Sequence, residues 1–222
     1  MKVCAYVMTY DSGLAPNPFH GICTLAVCTP NHLKANLDSG GYIIGIAGTR
    51  LRNKLKSPDQ WRLIYAMKVD ERITLDKYFA EYESKRPKLS GSKIEMCGDN
   101  FYKNLKHTRQ TEEHTSDGIE KKDCRGNRVF VSRDDFAYFG SLAPVIPSDI
   151  PWGAKLISQL KKRAIGITYI LGGTCSDPWD QDDFTKFKSF ISVNKLDYIP
   201  APIDFDLWKE SSDEKASKSS CC

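Results

Sequence analysis

Three short apolar runs fall within the first 48 residues: Val3–Tyr10, Ile22–Cys28 and Gly40–Gly48. Loops carrying Gly and Pro separate them. None approaches the roughly 18 apolar residues of a membrane helix. Runs this short, bounded by turn residues, predict strands buried on both faces. Val3–Tyr10 is predicted to be a central strand. Pro30 stops the second run, and Gly45 inside the third marks a bulge or a close backbone approach.

The later chain mixes strands and helices. Trp61–Val69 alternates, with Leu63, Tyr65, Met67 and Val69 opposite Arg62 and Lys68, and predicts a half-exposed strand. Helices are predicted over Thr74–Tyr82 with Thr74 as N-cap, over Ile150–Arg163, and over Asp180–Val193. Val129–Ser132 and Ile167–Leu171 read as further strands. Ser84–Arg128 is polar, holds four glycines and shows no strong periodicity. This order argues for an α+β fold: a curved, mostly antiparallel sheet or a partly open small barrel with flanking helices. Residues 1–206 read as one domain and 207–222 as a disordered tail, since Ser, Lys, Asp and Glu dominate the end.

A chain of 222 residues can bury a core without a metal or disulfide staple. Eight cysteines are too sparse for a disulfide scaffold, and Cys4, Cys23 and Cys28 lie in apolar runs as buried thiols. The start, from Met1 to Tyr6, is too short and polar for a signal peptide. The expectation is a cytoplasmic protein without membrane contact. A net charge of +4 is too weak to prove a nucleic-acid partner and suits a small anion such as a nucleotide.

Two loops concentrate polar and aromatic groups. Pro16-Asn17-Pro18-Phe19-His20-Gly21 offers an amide, a stacking face and an imidazole on a stiff backbone. The same residues would also make a plain turn. Gly98-Asp99-Asn100-Phe101-Tyr102 sets a carboxylate beside an amide and a phenol, and it would equally make an Asx turn. A third segment, Gly40 to Arg50, ends in Gly48-Thr49-Arg50, which could hold a phosphate. It lacks the Lys-Ser/Thr ending of a Walker A loop and reads also as a turn with a bulged strand.

Cys97, His107, His114 and Cys124 are zinc-type residues, but their C-x9-H-x6-H-x9-C spacing lacks the short pairs of zinc sites. No metal is expected, and His114 reads as a polar site residue. Ser132 with Asp135 resembles a capping box. No nucleophile elbow, His-Glu-x-x-His or deaminase signature is present. Cys221-Cys222 is a weak prenylation-like ending.

Taken together, several of these segments resemble the nucleotide modification associated domain family, second type. They are Tyr6–Thr9, the run from Ala15-Pro16-Asn17-Pro18-Phe19-His20-Gly21 to Ala26, Gly41–Gly45, Leu63–Val69 and Thr74–Tyr78. Lys85-Arg86-Pro87, Gly98–Tyr102, His114 and Val131–Gly140 follow in order. One departure is Gly41-Tyr42, in place of an acidic-aromatic pair. The resemblance implies a ligand that is a nucleotide, a nucleoside or a modified nucleic-acid base, with DNA as a further candidate partner. It leaves the cofactor open and does not imply a settled reaction.

On this reading Asp99, His114 and His20 are the candidate acid/base residues. Asn17, Phe19, Asn100 and Tyr102 would hold a base, and Thr49 and Arg50 would lie near phosphate. The rival is a module that binds or sequesters a modified base without turnover, and a structural adaptor is a third reading. Both ligand readings require residues 17–21 and 98–102 to lie within one ligand's length of each other.

Overall fold

The computed structural model describes residues 1–28, 35–162 and 166–209. In chain order the strands and helices are β1 (Val3–Met8), β2 (Cys23–Leu25), β3 (Tyr42–Ala47), α1 (Thr49–Lys54), β4 (Leu63–Lys68), β5 (Glu71–Ile73) and α2 (Leu75–Glu81). Then come α3 (Lys93–Met96), β6 (Tyr102–Lys103), β7 (Lys106–His107), α4 (Asp117–Cys124), β8 (Val129–Ser132), β9 (Phe136–Tyr138), α5 (Pro151–Lys162), β10 (Ile167–Leu171) and α6 (Gln181–Asn194). The fold is α+β.

The main sheet runs β10-β1-β3-β4-β9. Only β1 and β3 are parallel, and the other three pairings are antiparallel. β1 is interior, as its two-sided apolar run predicts, with Val3, Cys4 and Ala5 fully buried. Its parallel partner forces a long crossover. That crossover carries residues 9–28 and β2 out to a second, antiparallel sheet, β2-β8-β5. This excursion is what builds the site described below.

Each sheet has its own core. α5 and α6 cover the main sheet through Trp152, Leu156 and Phe187, and the Trp152 and Trp179 rings meet edge to face at 5.9 Å. Aromatic pairs of this kind add roughly 0.5–1.5 kcal/mol beyond burial. The second core gathers Phe19, Tyr78, Phe101, Val129, Val131 and Trp208.

Several expectations change. The sheets are open rather than closed into a barrel, and β10 and β9 form the two edges of the five-stranded sheet. β4 is not half-exposed. Leu63, Ile64, Tyr65, Ala66 and Met67 are all buried, because Arg62 and Lys68 stand at the strand's ends and only mimic a solvent face. Arg62 Nη1 donates to Ala143 O at 2.7 Å, and its Nε donates to Ser57 Oγ at 2.6 Å. The second run shortens to three paired residues, and Cys28 has left the extended region with a φ of 65°.

Gly45 has both of its predicted meanings. The β3–β4 register shifts at Gly45/Ile46, and a Cβ there would lie 2.2 Å from the Tyr65 ring. Ser132 caps no helix. It belongs to β8, and its hydroxyl donates to Asp135 O at 3.3 Å, closing the turn into β9. The aperiodic stretch 84–128 contains α3, α4 and the β6–β7 hairpin, each too short to show a period. Trp208 is packed into the second core. Residues 210–222 of the predicted tail, with Cys221 and Cys222, lie outside the described residues, as does the Arg163 end of the predicted helix.

Candidate functional site

Residues 17–21 and 98–102 do lie side by side, joined by a buried polar network. Asn17 exchanges both backbone hydrogen bonds with Thr24, at 2.9 and 3.0 Å. Its Nδ2 donates to Gly13 O at 3.0 Å and to Cys97 O at 2.8 Å. Lys85 is fully buried and donates to Asn17 O, Asn17 Oδ1 and Ile22 O at 2.9, 2.7 and 2.8 Å. Three N–H donors thus meet three acceptors.

Asp99 accepts from Thr24 Oγ1 at 2.8 Å and from the Tyr78 hydroxyl at 2.5 Å. Gly98 is required by close approach, since a Cβ would lie 2.5 Å from Lys85 O. Burial pushes the Asp99 carboxyl up, and Lys85 and the two hydroxyl donors oppose it. Burial lowers Lys85 to about 8, against the pull of Asp99.

The polar atoms of these loops are largely spent on protein. Asn17, Asp99 and Asn100 are at most 1% exposed. Asn100 Nδ2 donates to Tyr78 O and Tyr82 O, at 3.0 and 2.8 Å, while its Oδ1 has no partner among the described residues. Phe19 stacks on Phe205 at 5.9 Å. His20 is exposed, and desolvation followed by the Lys85 charge lowers its imidazole.

A second cluster lies beside the first. Cys28 Sγ is 2.7 Å from His114 Nε2, and His114 Nδ1 is 2.5 Å from Asp123 Oδ2. Asp123 comes from α4 and is held from two more directions: its Oδ1 accepts the Cys28 N–H at 3.2 Å and its Oδ2 the Tyr102 hydroxyl at 3.1 Å. The carboxylate places the proton of a neutral imidazole on Nδ1, which leaves Nε2 facing the thiol as acceptor. The Phe101 ring meets the His114 ring at 5.9 Å. Cys28 and His114 both take left-handed backbone, with φ of 65° and 59°. That region is disfavoured for side-chain-bearing residues and is held only by surrounding structure.

Cys28 reaches solvent at a cleft of about 330 Å³, walled by residues 6–10, Ser12, Leu14, Glu113 and Leu207. The surrounding protein still disfavours a thiolate: desolvation first, then the carboxylates of Asp123, Glu113 and Asp99, push the Cys28 thiol up. Tyr10, 58% exposed, stands on the cleft wall, and the Arg50 guanidinium lies 4.2 Å above its ring. Arg50 also grips the buried Asp204 with two bonds, at 2.7 and 2.9 Å, and Lys54 shares that carboxylate at 2.6 Å. Thr49 is exposed at the start of α1.

Cys97, His107, His114 and Cys124 have separate partners. Cys97 donates to Ile94 O, His107 Nε2 meets Glu113 O, and Cys124 donates to Leu105 O. The thiol and carboxylate around His114 touch opposite ring nitrogens, so these three groups do not converge on one ion. Lys85, Cys28 and Asp123 escaped the sequence reading. Lys85 lies in the Lys-Arg-Pro segment that contributes to the resemblance, and Cys28 reads from its apolar run as a buried thiol. No local pattern marks Asp123.

Neither a curated protein nor a solved structure matches the chain. Among the described residues no helix is long and apolar enough to cross a membrane. A family model described as nucleotide modification associated domain 2 matches residues 1–206, and the chain belongs to that family.

Proposed function

We propose that the protein recognises or processes a nucleotide, nucleoside or nucleobase in the course of nucleic-acid base modification, with the Tyr10–Cys28 cleft as its ligand site. The cleft carries the reading. Its volume falls in the usual range for small-molecule sites, and one wall is a ready stacking surface. Tyr10 offers a ring face to a base, Arg50 supplies positive charge at the rim, and His114 is the acid/base group within reach. In this reading Asn17, Phe19, Asp99, Asn100 and Tyr102 act from behind, as the frame that holds the cleft wall. Modified bases within DNA are included as ligands. A binding-only module is the second reading, favoured by the enclosure of Asp99, the carboxylate that sequence offered as a base.

A thermal-shift panel of nucleotides and modified nucleosides tests this. A ligand at a hundredfold over its dissociation constant stabilises by about 2.7 kcal/mol. We expect at least one member to raise Tm in the wild type and the shift to shrink in Tyr10→Ala. Absence of any shift across the panel removes the ligand reading.

A further inference from the structure

We propose that Cys28, His114 and Asp123 are a nucleophilic thiol, its general base and a positioning carboxylate, acting on an amide- or ester-type carbonyl carbon carried by the cleft's ligand. The carbonyl-bearing ligand rests on the functional reading above. The thiol chemistry rests on geometry of its own.

Covalent catalysis needs a nucleophile in hydrogen-bond contact with a base, and the base oriented by a third group. All three relations are present. The thiol meets Nε2 at 2.7 Å and the carboxylate meets Nδ1 at 2.5 Å, on opposite sides of one ring. Tyr102 and the Cys28 N–H fix the carboxylate in turn. Cys28 is the member of the three that lines the cleft. A purely structural thiol–imidazole contact requires neither the cleft nor the third group.

Desolvation first, and the surrounding carboxylates after it, oppose a standing thiolate at Cys28. The proton therefore moves during attack. Sγ forms a bond to the carbonyl carbon as its proton passes to His114 Nε2, and the C=O electron pair moves onto oxygen. Collapse of that intermediate breaks the bond to the leaving nitrogen or oxygen, which takes the proton back from Nε2. A thioester remains on Cys28. Water then gives a proton to Nε2 and attacks the thioester, and the thiol leaves with that proton. The net reaction is hydrolysis, with water as the only co-reactant. Asp123 holds the ring in the tautomer the base needs.

Two probes test this on the full chain: iodoacetamide for thiol reactivity and p-nitrophenyl acetate for acyl transfer. Peptide mapping assigns the modified residue, because Cys124 and Cys175 are also partly accessible. At pH 7 we expect iodoacetamide to modify Cys28 at a rate set by proton transfer to His114. His114→Gln should lower that rate about tenfold or more, in line with a lost general base, and strip the imidazole limb from its pH profile. Asp123→Asn should lower it less and displace the same limb. p-Nitrophenyl acetate should leave an acetyl group on Cys28 and turn over, and Cys28→Ala should do neither.

Equal Cys28 labelling in wild type and a folded His114→Gln overturns the proposal. If that variant fails to fold, the wild-type profile decides: a single limb, identical to that of the urea-unfolded chain, overturns it as well. Nucleotide-induced stabilisation measured on Cys28→Ala keeps the two readings apart. A nucleotide shift with an inert Cys28 removes the thiol chemistry alone. A reactive Cys28 with no nucleotide shift removes the ligand assignment alone.

Discussion

The Lys85 network and the Cys28 row are built from the same kinds of groups and share one loop, yet they differ in where their bonding capacity ends. Lys85, Asn17, Asp99, Thr24 and Tyr78 close on one another inside the protein. Asp123, His114 and Cys28 form an open chain whose Cys28 end lines a cleft. Residues 98–102 serve both: Asp99 and Asn100 turn inward, while the Tyr102 hydroxyl reaches Asp123. A buried polar cluster that satisfies itself specifies a backbone arrangement. One that leaves a nucleophile at the surface can also do chemistry.

The largest expected effect breaks the closed side. Lys85→Met leaves Asn17 Oδ1 and Ile22 O without their Lys85 donor and Asn17 O with its Thr24 bond alone, and should cost about 3–5 kcal/mol in urea denaturation. Cys28→Ala should change stability by no more than about 0.5 kcal/mol. Similar losses for the two would erase the distinction between frame and site.

A pH measurement sharpens the same contrast. Burial lowers Lys85 to about 8 from its ordinary 10.5. Between those values the unfolded chain holds a proton that folded Lys85 has released, so raising the pH favours folding. The penalty is full below about 8 and gone above about 10.5. Between pH 7 and 10 the wild type should therefore gain on Lys85→Met, by an amount of the order of 1–3 kcal/mol. A constant difference between the two curves would mean that Lys85 keeps its charge throughout.

The frame was more legible in the sequence than the site, for a physical reason. β1 announced itself because two-sided burial demands an unbroken apolar run, and Gly45 because only glycine fits against Tyr65 and Met8. The two polar loops stand out by their side chains, and their proximity is what a shared ligand pocket requires. Their enclosure does not stand out, because it depends on Lys85, whose residue type is almost never fully buried. The Cys28 row was illegible: its hydrogen bonds span 86 and 9 residues of chain, and each member alone fits a bland local reading. β4 misled in the opposite sense, since charges at strand ends and charges on a solvent face give one and the same alternation.

The smallest predicted effect concerns the residue that joins the two regions. The Tyr102 ring is buried against Phe101 and His107, so Tyr102→Phe keeps the packing and deletes only the hydroxyl. Asp123 Oδ2 then loses one of two donors, while His114 remains. Stability should fall by about 1 kcal/mol, the usual net worth of one hydrogen bond. The pH window assigned to Lys85 should be untouched, because no bond of that network is altered. Cys28 labelling by iodoacetamide should change, since a carboxylate with fewer donors pulls harder on the imidazole. A variant that shifts the Lys85 window and leaves Cys28 labelling alone would reverse the assignment of Tyr102, joining it to the frame.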